Sequence, residues 1–496
     1  MQDKPFSVLT TRRHFIRQAA CAALGMGAMT AFIKDLRFIN AAVAQSNISD
    51  YKALVCVFMA GGNDSNNLII PAIQSEYDNY AAIRTDVLAI PHPLSGGPPN
   101  QLAIPIISDN SDGHEYAFHP ACPELASMFN SGRLAVLFNT GTLVFPMTRA
   151  QYQAGILQRP PQLFSHADQV TQWQTSIPDQ PPLTGWGGRC ADLLAAVQPD
   201  APISLSVSLA GANTFEVGNI TSQYSVSTSG AIAMSSLGSG NTYTNRVSAL
   251  TNILAIPYPN LQQRAHADVT RHAIDTGALL NNAIASTANA PWLTGIPTSV
   301  TTPTSGLIFN SNLGAQLRMV ARLIEAGNRA AAAGGFGLKR QIFFCQVGGY
   351  DLHTGQTPGP GLSTTGAHAN LLAEISQCLN GFQNAIQSLG LANNVTTFTG
   401  SDFGRTFPCN GLGSDHGWGS HHLIMGGAVQ GRKTYGKFPT LAINGPDDTS
   451  TGRWIPTTAC DQYFSTLATW FGVDNNNLAA VFPNLGRFST PNLGFL

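Results

Sequence analysis

The chain has 496 residues, and its 26 Lys and Arg nearly balance 27 Asp and Glu, for a formal net charge of -1. Only 11% of residues are charged, against roughly 25% in an average soluble protein, so there is no basic surface for a nucleic-acid backbone. The 43% hydrophobic content supports a large core and excludes wholesale disorder, while no apolar stretch reaches the roughly 18 residues of a membrane span.

The first segment reads as an address. Arg12 and Arg13 stand in Thr-Thr-Arg-Arg-His-Phe-Ile-Arg, and a mostly apolar run, Gln18 to Ile33, follows. Ala42-Val43-Ala44 supplies the small residues of a cleavage site, so residues 1–44 are expected to be a secretory signal cut before Gln45. The paired arginines predict the twin-arginine route, with its translocase as the export partner and the periplasm or the exterior as the destination. Of eight cysteines, Cys21 lies in this segment; the others show no CxxC pairing.

Strands and helices then alternate. Residues 53–59 (ALVCVFM), 134–138 (LAVLF), 341–347 (QIFFCQV) and 395–399 (VTTFT) are short runs without polar alternation, as expected for strands buried on both faces of a parallel sheet. Leu313, Leu317, Val320, Leu323 and Ile324 recur at helical spacing, as do Leu371, Ile375, Leu379, Phe382, Ile386 and Leu389. Residues 261–285 read as a third helix, with Leu261, Ala265, Val269, Ala273, Leu279 and Leu280 on its apolar face. The expected fold is α/β: one domain over 45–496, an open, mostly parallel sheet with helices on both faces. A Ser/Thr-rich insertion or lid is expected over about 200–306.

Ligands of such sheets sit beyond the carboxyl ends of the strands, and Asp64, Asp351 and Asp402 each follow one. In Gly349-Tyr350-Asp351-Leu352-His353, residues two apart project to one side, so Asp351 and His353 are able to share a cation. Carboxylate plus imidazole suits zinc, manganese or iron. Ser414 to His422 packs three histidines and an aspartate among glycines, among them Asp415 and His416. Asp402 caps a turn or binds a cation, and Asp64 has the same two options. Arg405 either clamps an oxyanion or pairs with Asp402. Ser165, in Phe-Ser-His-Ala-Asp-Gln before a helical stretch, suits a helix N-cap; at that position the helix dipole also stabilises an oxyanion. His114, His119, His266, His272 and His368 are expected to be structural.

Several ordered motifs carry a resemblance: Phe58 to Pro71, His119 to Val136, Ser165 to Trp173, Thr184 to Arg189, Gly348 to Thr354, Ser401 to Thr406, Asp415 to Gly419, Gly426 to Pro439 and Arg453 to Phe471. Together they resemble the DUF1501 family of twin-arginine-exported proteins, distant relatives of the sulfatases and alkaline phosphatases. The resemblance implies an alkaline phosphatase/sulfatase-like fold and one or two divalent cations. It casts Asp64, Asp351, His353, Asp402 and His416 as metal ligands and Ser165 as nucleophile. Phe403 stands where that superfamily has a ligating histidine, and no Cys-x-Pro-x-Arg motif occurs, which disfavours a formylglycine sulfatase. Two functions remain open: a metal-dependent hydrolase of phosphate or sulfate esters, with Ser165 attacking and Arg405 holding charge, or a non-catalytic envelope or secreted protein with a degenerate site.

Overall fold

The computed structural model describes residues 48–181, 183–232 and 241–496. The expected signal segment lies outside the described residues. Seven strands organise the main sheet: β1 (Lys52–Met59), β2 (Leu134–Gly141), β3 (Ser206–Ser208), β4 (Tyr224–Ser227), β5 (Arg340–Val347), β6 (Val395–Ser401) and β7 (Ser420–Met425). From one edge the order is Thr434–Tyr435, β2, β7, β6, β1, β5, β3, β4 and Gly230–Ala231, with Thr458–Ala459 also paired to β2. β1 runs parallel to both β5 and β6, and β5 runs parallel to β3. β7 is antiparallel to its two neighbours, β6 and β2. The open, mostly parallel sheet expected from the sequence is therefore the one observed.

The absence of polar alternation in β1 has a direct cause. Ala53, Val55, Val57 and Met59 enter one buried cluster, and Leu54, Cys56 and Phe58 enter another on the opposite face. The helices covering the sheet are α1 (His166–Thr175), α2 (Trp186–Leu194), α3 (Asn312–Asn328), α4 (Ala367–Ser388) and α5 (Cys460–Phe471). Residues of α3 and α4 build the first cluster, and residues of α1, α2 and α5 build the second. The Ser311 hydroxyl starts α3 by accepting from the Gly314 amide at 2.8 Å.

Two expectations change. Within the 200–306 stretch, β3, β4 and Gly230–Ala231 extend the main sheet, so its first part is sheet edge. The helix at Leu261–Ala285 has the expected bounds, but Leu261 and Val269 on its expected apolar face are 71% and 69% exposed. Its C-terminal half joins the first cluster through Leu280, Ala283 and Ile284, while Ala267 alone is buried in the N-terminal half. The seven cysteines among the described residues are free thiols, all buried except the half-buried Cys409.

A buried acid gives this fold a pH signature. Glu216 is fully buried, with Oε2 accepting from Asn213 Nδ2 at 2.7 Å. Burial pushes its carboxyl from the ordinary 4.5 up to about 8. The folded chain thus holds a proton that the unfolded chain releases above 4.5, so this group's contribution is intact below 4.5 and is lost as pH rises toward 8. The buried His119, His368, His421 and His422 act oppositely: burial lowers each below 6.5, so each destabilises the fold as pH falls below that value. Comparing wild type with Glu216→Gln isolates the acid. The variant's melting temperature should gain on wild type progressively from pH 5 to 8, and a gap that does not vary with pH would refute the assignment.

Candidate metal site at the strand ends

Topology collects the site. β1, β5 and β6 are parallel, so the segments after them emerge on one side of the sheet. Because β7 is antiparallel, the segment leading into it, with Asp415 and His416, arrives on that same side. The Gly61-Gly62 pair lets these segments meet. Both glycines have positive φ; a Cβ on Gly61 would lie 2.5 Å from the Asp351 nitrogen, and one on Gly62 would lie 2.4 Å from the Phe403 ring. The start of α1 is delivered by packing as well. Trp173, two turns along α1, lies so close over Gly400 in β6 that a Cβ there would stand 2.1 Å from its ring.

Three imidazoles and one carboxylate converge here. One ligand atom each from His166, Asp351 and His416 lies within 4.8 Å of the other two. Asp351 Oδ1 is 3.2 Å from His416 Nε2 and 3.5 Å from His166 Nε2. His353 Nε2 touches two of the group, 3.2 Å from Asp351 Oδ1 and 2.8 Å from His416 Nε2.

The far side of each ring is anchored. His166 Nδ1 is 2.7 Å from Asp402 Oδ2, His353 Nδ1 is 2.9 Å from Asp415 Oδ1, and His416 Nδ1 is 2.7 Å from the Phe164 carbonyl. Carbonyls and carboxylates accept only, so each Nδ1 carries a proton, and each ring in its neutral form has its lone pair on Nε2. Phe164 adopts φ 73°, a strained backbone for a residue with a Cβ, as it presents that carbonyl. The Phe403 ring packs against both imidazoles, its centroid 4.8 Å from His166 and 4.7 Å from His416 and its plane tilted by 37° to each. The buried Nε2 of His166 has no hydrogen-bond partner among the described residues. Lone pairs turned toward a carboxylate oxygen, with Nδ1 braced from behind, form the donor set of a transition-metal cation. The residues fit one.

Charges are set by the surroundings. Burial alone would raise the Asp351 carboxyl, but the hydrogen bond and charge of Arg405 outweigh it and hold it down at about 2. Burial also works to raise Asp415, and hydrogen bonds from His353 and Asn410 bring it below the usual value. Burial pushes His416 down, toward the neutral imidazole a ligand must be.

The other residues expected at the site take supporting places. Asp402 is one step behind the group: its Oδ1 accepts from the Gly61 amide at 3.0 Å while Oδ2 holds His166. Asp64 is turned away into an ion pair with Arg84, both side chains buried. Arg405 is 1% exposed and fully engaged, donating to Asp351 Oδ1 (2.6 Å) and to the carbonyls of Gly61, Gly62, Tyr350 and Ser414. It ties the strand-end segments together and does not present a free clamp. Ser165 is the N-cap residue of α1, and its Oγ donates to Asp168 Oδ2 at 2.6 Å. Sequence reasoning missed His166, although it follows Ser165 directly in a motif already singled out, and it missed Asp415 as a brace. A cavity of about 790 Å³ lies elsewhere, lined by Leu205 and Tyr224 at the β3–β4 edge and by His272.

Fold and site together define an open-sheet α/β protein with a candidate cation centre at its strand ends. The chain belongs to the family described as "Protein of unknown function (DUF1501)", whose sequence model matches residues 51–463. No curated protein matches the chain. Among solved structures, the chain is similar to one titled "Crystal structure of Ps i-CgsB in complex with k-i-k-neocarrahexaose", at 8% identity and a TM-score of 0.31, covering 89% of this chain and 78% of that one. It is also similar to the PsFucS1 sulfatase from Pseudoalteromonas sp., at 11% identity and a TM-score of 0.30, covering 89% of this chain and 72% of that one.

Proposed function

We propose that the protein is a cation-dependent hydrolase of phosphate or sulfate esters, exported by the twin-arginine route to the periplasm or the exterior. One observation carries the cation: ligand atoms of His166, Asp351 and His416 lie within 4.8 Å of one another. His353 stands beside them. The ester class rests on the resemblance of the sequence motifs to the sulfatase and alkaline phosphatase superfamily. Imidazole nitrogens with one carboxylate favour zinc, manganese or iron. Such a cation supplies Lewis-acid polarisation of the ester oxygen.

The chain's own groups do the rest. Asp402, Asp415 and the Phe164 carbonyl hold the three rings, and Arg405 fixes Asp351. The Ser165 hydroxyl, which donates to Asp168 at 2.6 Å, attacks the ester phosphorus or sulfur and gives its proton to Asp168. The bond to the alcohol oxygen breaks, the alcohol leaves with that proton, and water then hydrolyses the seryl ester to release phosphate or sulfate and restore the hydroxyl. Asp351 and His353 are 49% and 42% exposed in their side chains, which leaves the group open to a solute and favours the enzyme. The non-catalytic reading is favoured by two other contacts, Asp64 taken up by Arg84 and Phe403 packed against the imidazoles, which leave a single cation position.

The test is metal content of protein purified without chelator, followed by chelation and add-back of zinc, manganese or iron during turnover of aryl phosphate and aryl sulfate esters. The expected result is about one equivalent of cation, and activity that disappears on chelation and returns on add-back. Under about a tenth of an equivalent, with no uptake from any of the three metals, would overturn the proposal.

A further inference from the structure

An ester oxyanion beside a cation needs a second positive group with hydrogen-bond donors still free. Arg405 is not that group, because five acceptors occupy its guanidinium. Arg453 is the other arginine at the site. Its Nε donates to the His416 carbonyl at 2.8 Å, and its guanidinium lies over the Phe164 ring, 4.3 Å from the centroid. It thus sits against the two residues whose contact orients His416. Its charge reaches Asp415, the brace of His353. Its two terminal NH₂ groups have no partner among the described residues, and Arg453 is partly exposed.

The segment bearing Arg453 is built in advance. Asp448 is fully buried, and its Oδ1 accepts from the amides of Ser450 (3.0 Å), Gly452 (2.8 Å) and Arg453 (3.1 Å). Its Oδ2 accepts from the Asn444 amide at 2.8 Å. Trp454, next in the chain, is buried and donates from Nε1 to Asn66 Oδ1 at 2.8 Å. Backbone on both sides of Arg453 is therefore fixed, and stacking on Phe164 limits the rotamers of the side chain, so ordering it on a ligand costs little entropy. A planar guanidinium with two unspent NH₂ groups matches a tetrahedral oxyanion in two-point fashion.

We infer that Arg453 is the anion-gripping residue of this site, holding the non-bridging oxygens of a phosphate or sulfate ester beside the cation group. This rests on the cation-dependent reading above. It moves the charge-holding role expected of Arg405 to a residue that sequence reasoning noticed only as the start of a family motif.

The experiment is calorimetric titration of cation-loaded protein with inorganic phosphate and, separately, inorganic sulfate, with cation content measured on the same samples. Wild type should bind the preferred anion. Arg453→Gln should keep its cation and bind that anion roughly ten- to a hundred-fold more weakly. Arg453→Lys keeps the charge without the fork and should fall between the two. The ratio of phosphate to sulfate affinity in wild type identifies the ester class. Equal anion affinity in wild type and Arg453→Gln, or loaded wild type that binds neither anion, overturns the role of Arg453 while leaving the cation site standing. Wild type that takes up no cation overturns both. Loss of the cation in Arg453→Gln at an unchanged melting temperature would make Arg453 a brace of His416 and also overturn the inference.

Discussion

His166→Ala is expected to leave the protein unable to retain its cation through dialysis, whereas Asp402→Asn should weaken cation affinity only roughly 10- to 100-fold. The two residues touch each other, at 2.7 Å between His166 Nδ1 and Asp402 Oδ2, yet only the imidazole faces the ligand group. Removing it deletes a donor and leaves Asp351 and His416 with His353 alone. Removing the carboxylate's charge keeps the donor and loses the acceptor that fixes its tautomer and plane. Competition against a chromophoric chelator reads both variants on one scale. If Asp402→Asn proves as severe as His166→Ala, Asp402 is itself a ligand, as its sequence motif implies. If His166→Ala binds like wild type, α1 has no part in the site. Neither variant should shift the melting temperature of the metal-free protein much, because His166 is partly exposed and Asp402 keeps its contact with the Gly61 amide.

How much of this was legible depends on how far apart in the chain the cause lies. The strands of the sheet centre were legible because a strand covered on both faces has to be apolar at every position, which a window of seven residues reveals. Asp351 and His416 were legible because each stands among glycines at a turn after or before such a strand. β3 was not, since three residues carry no period and its place is decided by pairing with β5, over a hundred residues later. His166 was hidden for a related reason. A polar cluster at a helix start has a sufficient local explanation in capping, and only the fit of Trp173 onto Gly400 shows that this helix start faces the strand ends. Arg405 misled because a guanidinium after a strand looks like a free cation. Nothing local shows that the carbonyls of three different segments converge on it.

Asp64 is the sharpest case, and it carries the second large effect. Arg84→Leu is expected to cost the fold about 3–5 kcal/mol, the range for removing one partner of a buried ion pair. Arg84 and Asp64 have side-chain exposures of 0% and 3%. Without the guanidinium, the carboxylate keeps Gln356 Nε2 and Asn66 Nδ2 as its side-chain donors among the described residues. The carbonyls of Thr406 and Phe407, held by Arg84 Nη1 at 3.2 and 3.0 Å, also lose their donor. Burial by itself raises the Asp64 carboxyl, and the charge of Arg84 is what brings it below the ordinary 3.8. In wild type this group's contribution is therefore present above pH 3.8 and lost as pH falls below it. In Arg84→Leu the sign reverses, because an unopposed buried acid is penalised more as pH rises, so the deficit in denaturation midpoint should widen from pH 4 toward 7. Asp64→Asn combined with Arg84→Leu should recover part of the loss, since no isolated charge then remains buried. The cation distinguishes this role from the one implied by the family motif. As a buried structural partner, Asp64 can change to Asn beside Arg84→Leu without loss of bound metal per folded molecule; a first-strand ligand cannot.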